Sequence, residues 1–219
     1  MRRLKKYLTL FISICMLFVS VSARSFSDTR NHWASDYIDK LSDMGFISGY
    51  EGDLFKPDAE ISRAEFYAVI NNMANLKKVY PVFFSDVKPD DWFYKEVGKA
   101  VKAGYLVPTT GNLNPSKPIS RMEVVEILGY MYKLKPDAKE ALNFKDLENL
   151  SSEEIAYIGA LVKLGAVGGY PDNTFRPRGS VLRAEISRIL TSLIDKAGLP
   201  GERTVPDSKI KFGDKNLYQ

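Results

Sequence analysis

Apolar positions along the chain recur at helical spacing in paired short stretches. Trp33, Tyr37, Leu41 and Met44, with Ile38 beside them, mark a first apolar face, and Gly45 then supplies a C-terminal stop. The segment from Ser48 to Glu60 is rich in Gly, Asp and Pro and carries Phe55 as an apolar pin, which predicts a structured loop over a packed anchor. Phe66, Val69, Ile70 and Met73 form a second stripe. It starts at Ser62, whose hydroxyl can accept from the Glu65 N–H while the Glu65 side chain reaches back, a reciprocal capping box.

This helix-loop-helix unit returns twice. Gly45 to Tyr50, Phe55-Lys56-Pro57 and Ile61 to Glu65 have counterparts in Gly104-Tyr105-Leu106, Leu113-Asn114-Pro115 and Ile119 to Glu123. The third copy has Gly165 to Tyr170, Phe175-Arg176-Pro177 and Val181 to Glu185. A Phe-x-Asp marker precedes each copy, ending at Asp28, Asp86 and Asp146. Arg63, Arg121 and Arg183 are spaced by 58 and 62 residues and the aspartates by 58 and 60, a threefold internal repeat. Val124, Ile127, Leu128 and Met131 follow a second capping box at Ser120 and Glu123. Ile186, Ile189, Leu190 and Leu193 follow Leu182, which has no capping hydroxyl, a loss typically worth about 1 kcal/mol.

The first helices vary more. Trp33 and Trp92 match, whereas the third copy has Ile155-Ala156-Tyr157. Their place on the apolar face predicts that most of each indole packs in the core. Asp28, Asp86 and Asp146 sit where a carboxylate can cap or orient the exposed N–H groups of the helix that follows. A pair of short helices cannot cover both its apolar faces, so the copies must pack on one another as a short solenoid or a closed pseudo-threefold bundle. A repeat near 60 residues exceeds the usual 20 to 50 of open arrays and favours closure. The expected fold is all-α, with repeats at 24–80, 81–141 and 142–198 and an irregular or disordered tail at 199–219.

Residues 1–23 read as a secretory signal peptide: a basic start (Arg2, Arg3, Lys5, Lys6), an apolar run from Tyr7 to Val21, and Val21-Ser22-Ala23 before the cleavage point. Those four basic residues account for the whole formal charge of +4, so the rest of the chain is near neutral and offers no general attraction to nucleic acid or an anionic membrane. The one cysteine, Cys15, lies in the leader, so no disulfide can staple the remainder.

The three copies together resemble consecutive S-layer homology modules, on Phe26-Ser27-Asp28, His32-Trp33-Ala34, Gly45 to Tyr50, Phe55-Lys56-Pro57 and Ile61-Ser62-Arg63-Ala64-Glu65. The resemblance implies a three-pronged α-helical spindle and a non-enzymatic anchor at a bacterial cell wall or S-layer surface. Grooves between repeats would bind a secondary cell-wall polysaccharide, commonly carrying a pyruvate ketal, or a peptidoglycan-linked polymer. It carries the binding role to Arg63, Arg121 and Arg183, to Gly49 and Gly169, and to Asp28, Asp86, Trp33, Trp92, Tyr50 and Tyr170. An arginine in the first turn of a helix suits a carboxylate, glycine lets backbone approach a sugar, and an aromatic ring can lie against its apolar face. The arginines could instead pair with the repeat-start aspartates across repeats. Copy two has Pro108-Thr109 where copy one has Gly49-Tyr50, and Met122 in place of alanine, so fewer than three equivalent sites are expected.

Catalysis is not expected. His32 is the one histidine, no cysteine remains after the leader, and the carboxylates recur as repeat positions. Pro171-Asp172-Asn173-Thr174 lacks the spaced carboxylates of a calcium loop and reads as a turn. Neither a metal nor a cofactor is expected. The rival reading is a stand-alone surface subunit or an adaptor that acts through contacts with another exported protein.

Overall fold

The computed structural model describes residues 26–213; the expected signal peptide lies outside the described residues, as does Tyr218 of the tail. Among the described residues six α-helices carry the fold: α1 (Ser35–Asp43), α2 (Arg63–Met73), α3 (Tyr94–Ala103), α4 (Arg121–Met131), α5 (Ser152–Lys163) and α6 (Arg183–Ala197). Short 3₁₀ turns occupy Lys139–Ala141 and Asp207–Lys209. Among the described residues there is no sheet, only isolated antiparallel bridges.

The repeats close into a ring. α2 packs on α3, α4 on α5, and α6 returns to α1. At the centre, Ile61 donates its N–H to Val181 O and Ile119 donates to Ile61 O, each at 3.0 Å, with all three side chains fully buried. The free N–H groups at the start of each second helix supply the rest of the closure. Arg63 N donates to Lys117 O, Arg121 N to Gly179 O and Arg183 N to Ala59 O, at 3.0, 2.8 and 2.9 Å. Ala64, Met122 and Ala184 do the same one residue later, each at 2.9 Å to the proline carbonyl of the neighbouring loop: Pro115, Pro177 and Pro57. Donors that a helix cannot satisfy internally thus bind each repeat to the next, and the third to the first. This cyclic order excludes the solenoid.

Capping follows the sequence closely. Ser62 and Ser120 each accept from the N–H three residues on, and Glu65 and Glu123 each accept from the capping backbone, at 2.8 and 3.0 Å. At α6 only half of the device survives: Leu182 N donates to Glu185 at 2.9 Å, with no hydroxyl to reciprocate. Ser151 and Glu154 form a further box at α5, from an S-x-x-E signature that stands in the sequence.

One expectation changes. The tryptophans are not core residues: α1 begins at Ser35, so Trp33 precedes it, and Ala34, Ile38 and Leu41 fill the interior instead. Trp33 is 57% exposed and Trp92 62%. The tail, irregular up to Gly213, is docked on copy two. Val205 N donates to Lys102 O at 2.8 Å, Gly213 N to Pro108 O at 3.0 Å, Arg203 stacks 3.8 Å from the Tyr130 ring, and Phe212 meets Phe83 at 5.0 Å between centroids.

Candidate functional site

The repeat-start aspartates hold the loops. Asp28 accepts from the N–H of Phe55 and Lys56, Asp86 from Leu113 and Asn114, and Asp146 from Phe175 and Arg176, at 2.7 to 2.8 Å. In each pair the second residue is left-handed although it is not glycine, with φ 57° at Lys56, 56° at Asn114 and 57° at Arg176. A carboxylate that accepts two N–H groups compensates that strain. The aspartates therefore neither cap the first helices nor pair directly with the arginines.

The arginines latch neighbouring repeats by another route, each entering the loop of the following copy. Arg183, 3% exposed, donates Nε to Phe55 O at 2.9 Å and Nη2 to Ser48 O at 2.7 Å, with Glu65 3.4 Å from Nη1. Its guanidinium carbon lies 4.4 Å from the Phe55 ring centre and 4.7 Å from that of Tyr50. Tyr50 hydrogen-bonds Glu65 at 2.5 Å, and burial together with that bond pushes its phenol up to about 12. Arg121 repeats the pattern in copy three, donating Nε to Phe175 O and Nη2 to Gly168 O at 2.9 Å, with Nη1 3.8 Å from Glu185. Arg63 differs, gripping Glu123 through Nε at 2.5 Å and Nη2 at 2.9 Å.

Predicted site residues converge most fully at copy three. Trp33 from copy one, Arg121 from copy two, and Gly169 and Tyr170 from copy three line a groove of ≈ 340 Å³, together with Gly168, Glu185 and Arg188. Arg121 and Arg176 flank the Tyr170 ring at 5.2 and 3.9 Å. Arg183 and Tyr50 form the corresponding contact at copy one. Asp28 and Asp86 lie behind the loops, and Trp92 stands exposed beside Phe93.

Gly49 and Gly169 owe their lack of a side chain to packing. A Cβ at Gly49 would fall 2.3 Å from Phe26 Cε1 and 2.5 Å from Leu54 O; one at Gly169 would fall 2.2 Å from Phe144 Cε1. The glycine thus admits the phenylalanine of the Phe-x-Asp marker, whereas Gly168 has open space on that side.

Copy two forms a different cavity, ≈ 560 Å³, whose lining includes Tyr105, Tyr130, Tyr157, Glu126, Glu153 and Glu154. Where copy one presents Tyr50, Thr109 is buried and accepts from Gly111 N at 3.1 Å. Glu126 keeps contact with solvent, yet desolvation on the groove wall, then Glu154, Glu123 and Glu153, push its carboxyl up to about 7. A carboxyl raised in the folded state withdraws stability as pH rises from the unfolded value, about 4.3, towards that figure. Glu126→Gln is therefore expected to melt at the wild-type temperature near pH 4 and above it at pH 8, by thermal denaturation across that range; a gap independent of pH would contradict the assignment.

His32 accepts from Ala34 N and faces Asp58, both at 3.2 Å, in a local turn. Among the described residues no helix is long and apolar enough to cross a membrane, and no cluster of three or more His, Cys, Asp or Glu is arranged to hold a metal.

A family model described as S-layer homology domain matches residues 25–66, 83–125 and 143–186. The chain is 33% identical over 180 residues to an amylopullulanase of Thermoanaerobacterium thermosulfurigenes, covering 80% of this chain and 10% of that protein. It is 30% identical over 179 residues to an S-layer protein of Bacillus thuringiensis subsp. finitimus, covering 78% and 21%. It is 29% identical over 169 residues to a cellulosome-anchoring protein of Acetivibrio thermocellus, covering 71% and 37%. The match thus spans from a tenth to little more than a third of these relatives.

Proposed function

The chain belongs to the S-layer homology domain family, and from that premise we propose that it anchors non-covalently to a bacterial cell wall by binding a wall glycan in the grooves between its repeats. The observation that carries this reading is the copy-three groove, where an exposed indole, a fixed arginine and an aromatic loop from three separate repeats face one space. Trp33 offers a flat apolar face for a sugar ring. Arg121 is immobilised by two carbonyls in the first turn of α4, where the helix dipole adds to its positive charge. That pairing suits a sugar bearing a carboxylate, such as a pyruvate ketal, and Gly168 leaves the backbone side of the groove open. The relatives named as an S-layer protein and a cellulosome-anchoring protein agree with a surface role.

Co-sedimentation with purified sacculi tests this. The chain lacking residues 1–23 should pellet with intact sacculi and remain in the supernatant once wall-linked polysaccharide has been removed. Failure to pellet with intact sacculi would overturn the glycan anchor in favour of a protein partner.

A further inference from the structure

The grooves at copies two and three are related by the repeat but not by charge. Five residues after each latch arginine, at the same position of α2, α4 and α6, stand Ala68, Glu126 and Arg188. Glu126 lines the copy-two cavity and Arg188 the copy-three groove. Three guanidiniums lie around that groove, and two are already committed. Arg121 spends Nε and Nη2 on backbone carbonyls. Arg176 donates to Asp172 at 3.1 Å and stacks on Tyr170. Arg188 is exposed and, among the described residues, has neither a hydrogen bond nor an ion pair. It has the whole planar fork to offer, in a groove that Trp33 also lines.

We propose that this position sets the charge preference of each groove: Arg188 makes copy three selective for a ligand bearing a carboxylate, and Glu126 makes copy two reject the same ligand. The inference rests on the glycan-anchoring reading and adds the residue that discriminates among glycans. Arg121 shapes the groove and contributes a fixed field, while Arg188 closes on the carboxylate through two parallel N–H donors. At copy two an incoming carboxylate would meet Glu126 and its neighbours Glu153 and Glu154, and Arg63 is already paired with Glu123. Ala68 leaves copy one without a charge at this position.

The test compares native sacculi with sacculi whose carboxylates have been amidated. It is run at pH 8, where Glu126 is ionised, and uses the wild-type chain, Arg188→Ala, Arg188→Glu and Glu126→Ala, each checked for a cooperative thermal transition no lower than wild type. On native sacculi Arg188→Ala should lower apparent affinity about 3- to 10-fold and Arg188→Glu more, with the deficit shrinking as salt rises. On amidated sacculi the Arg188 variants should match wild type to within about twofold, because the charge-assisted bond has no partner there. Glu126→Ala should raise binding to native sacculi and leave binding to amidated sacculi unchanged; no rise on native sacculi would overturn the role of Glu126. Equal loss on both surfaces, or no loss on native sacculi, would overturn the role of Arg188 and leave the anchor standing. A wild-type chain that fails to bind native sacculi would overturn both.

Discussion

Arg183→Ala is expected to cost about 3 kcal/mol of stability or more, and for a chain of this size to lower the melting temperature by about 6–12 °C. The guanidinium is 3% exposed, and its removal orphans the carbonyl oxygens of Phe55 and Ser48 while Glu65 loses its cation. The vacated volume lies against Phe55, so a cavity adds to the unsatisfied acceptors. The position also closes the ring, since Arg183 is where copy three grips copy one. Arg183→Lys should restore little, because a point charge with a flexible stem cannot donate to two carbonyls and stack on two rings at once. Thermal and urea denaturation read the effect directly. A variant as stable as wild type would mean that the ring is closed by the central backbone bonds alone.

Trp33→Ala should behave in the opposite way. Its indole is 57% exposed and its ring neighbour is the adjacent His32, so the interior loses little when it is truncated. The melting temperature should stay within about 2 °C, the range of surface substitutions of less than 0.5 kcal/mol. Binding should fall about tenfold, because an exposed tryptophan forming one wall of a groove is the kind of residue on which binding energy concentrates, at roughly 1–2 kcal/mol. The two variants together separate what holds the repeats to one another from what holds the ligand.

Much of the architecture was legible because it depends on local rules. Ser62 and Ser120 announce their capping boxes three residues before the glutamate that completes them, and the spacing of Arg63, Arg121 and Arg183 reveals the repeat. What escaped depends on cyclic order. Nothing local indicates that Arg183 reaches Glu65, 118 positions away in the chain, or that Trp33 of copy one faces the loop of copy three. The tryptophans misled because Trp33 stands four residues before Tyr37 and so mimics one more turn of α1, which in fact starts at Ser35 with Ala34 turned inward. The aspartates misled for a similar reason: proximity to the next helix suggested capping, whereas their N–H donors lie 27 to 30 residues further on. The tail carries too few apolar residues to build a core, and hydrogen bonds to Lys102 and Pro108 and the stacking of Arg203 on Tyr130 dock it without one. Glu126 and Arg188 lie just beyond the motif that aligns the copies. One helical turn past Arg121 and Arg183, the two copies carry opposite charges.

The most direct test of the glycan anchor is the retention of wild type and Trp33→Ala on sacculi with and without their wall-linked polysaccharide, at matched melting temperatures. The groove assignment predicts strong retention of wild type, about tenfold weaker retention of Trp33→Ala, and loss of both once the polysaccharide is gone. Equal retention of the two proteins, or retention that survives removal of the polysaccharide, would contradict it.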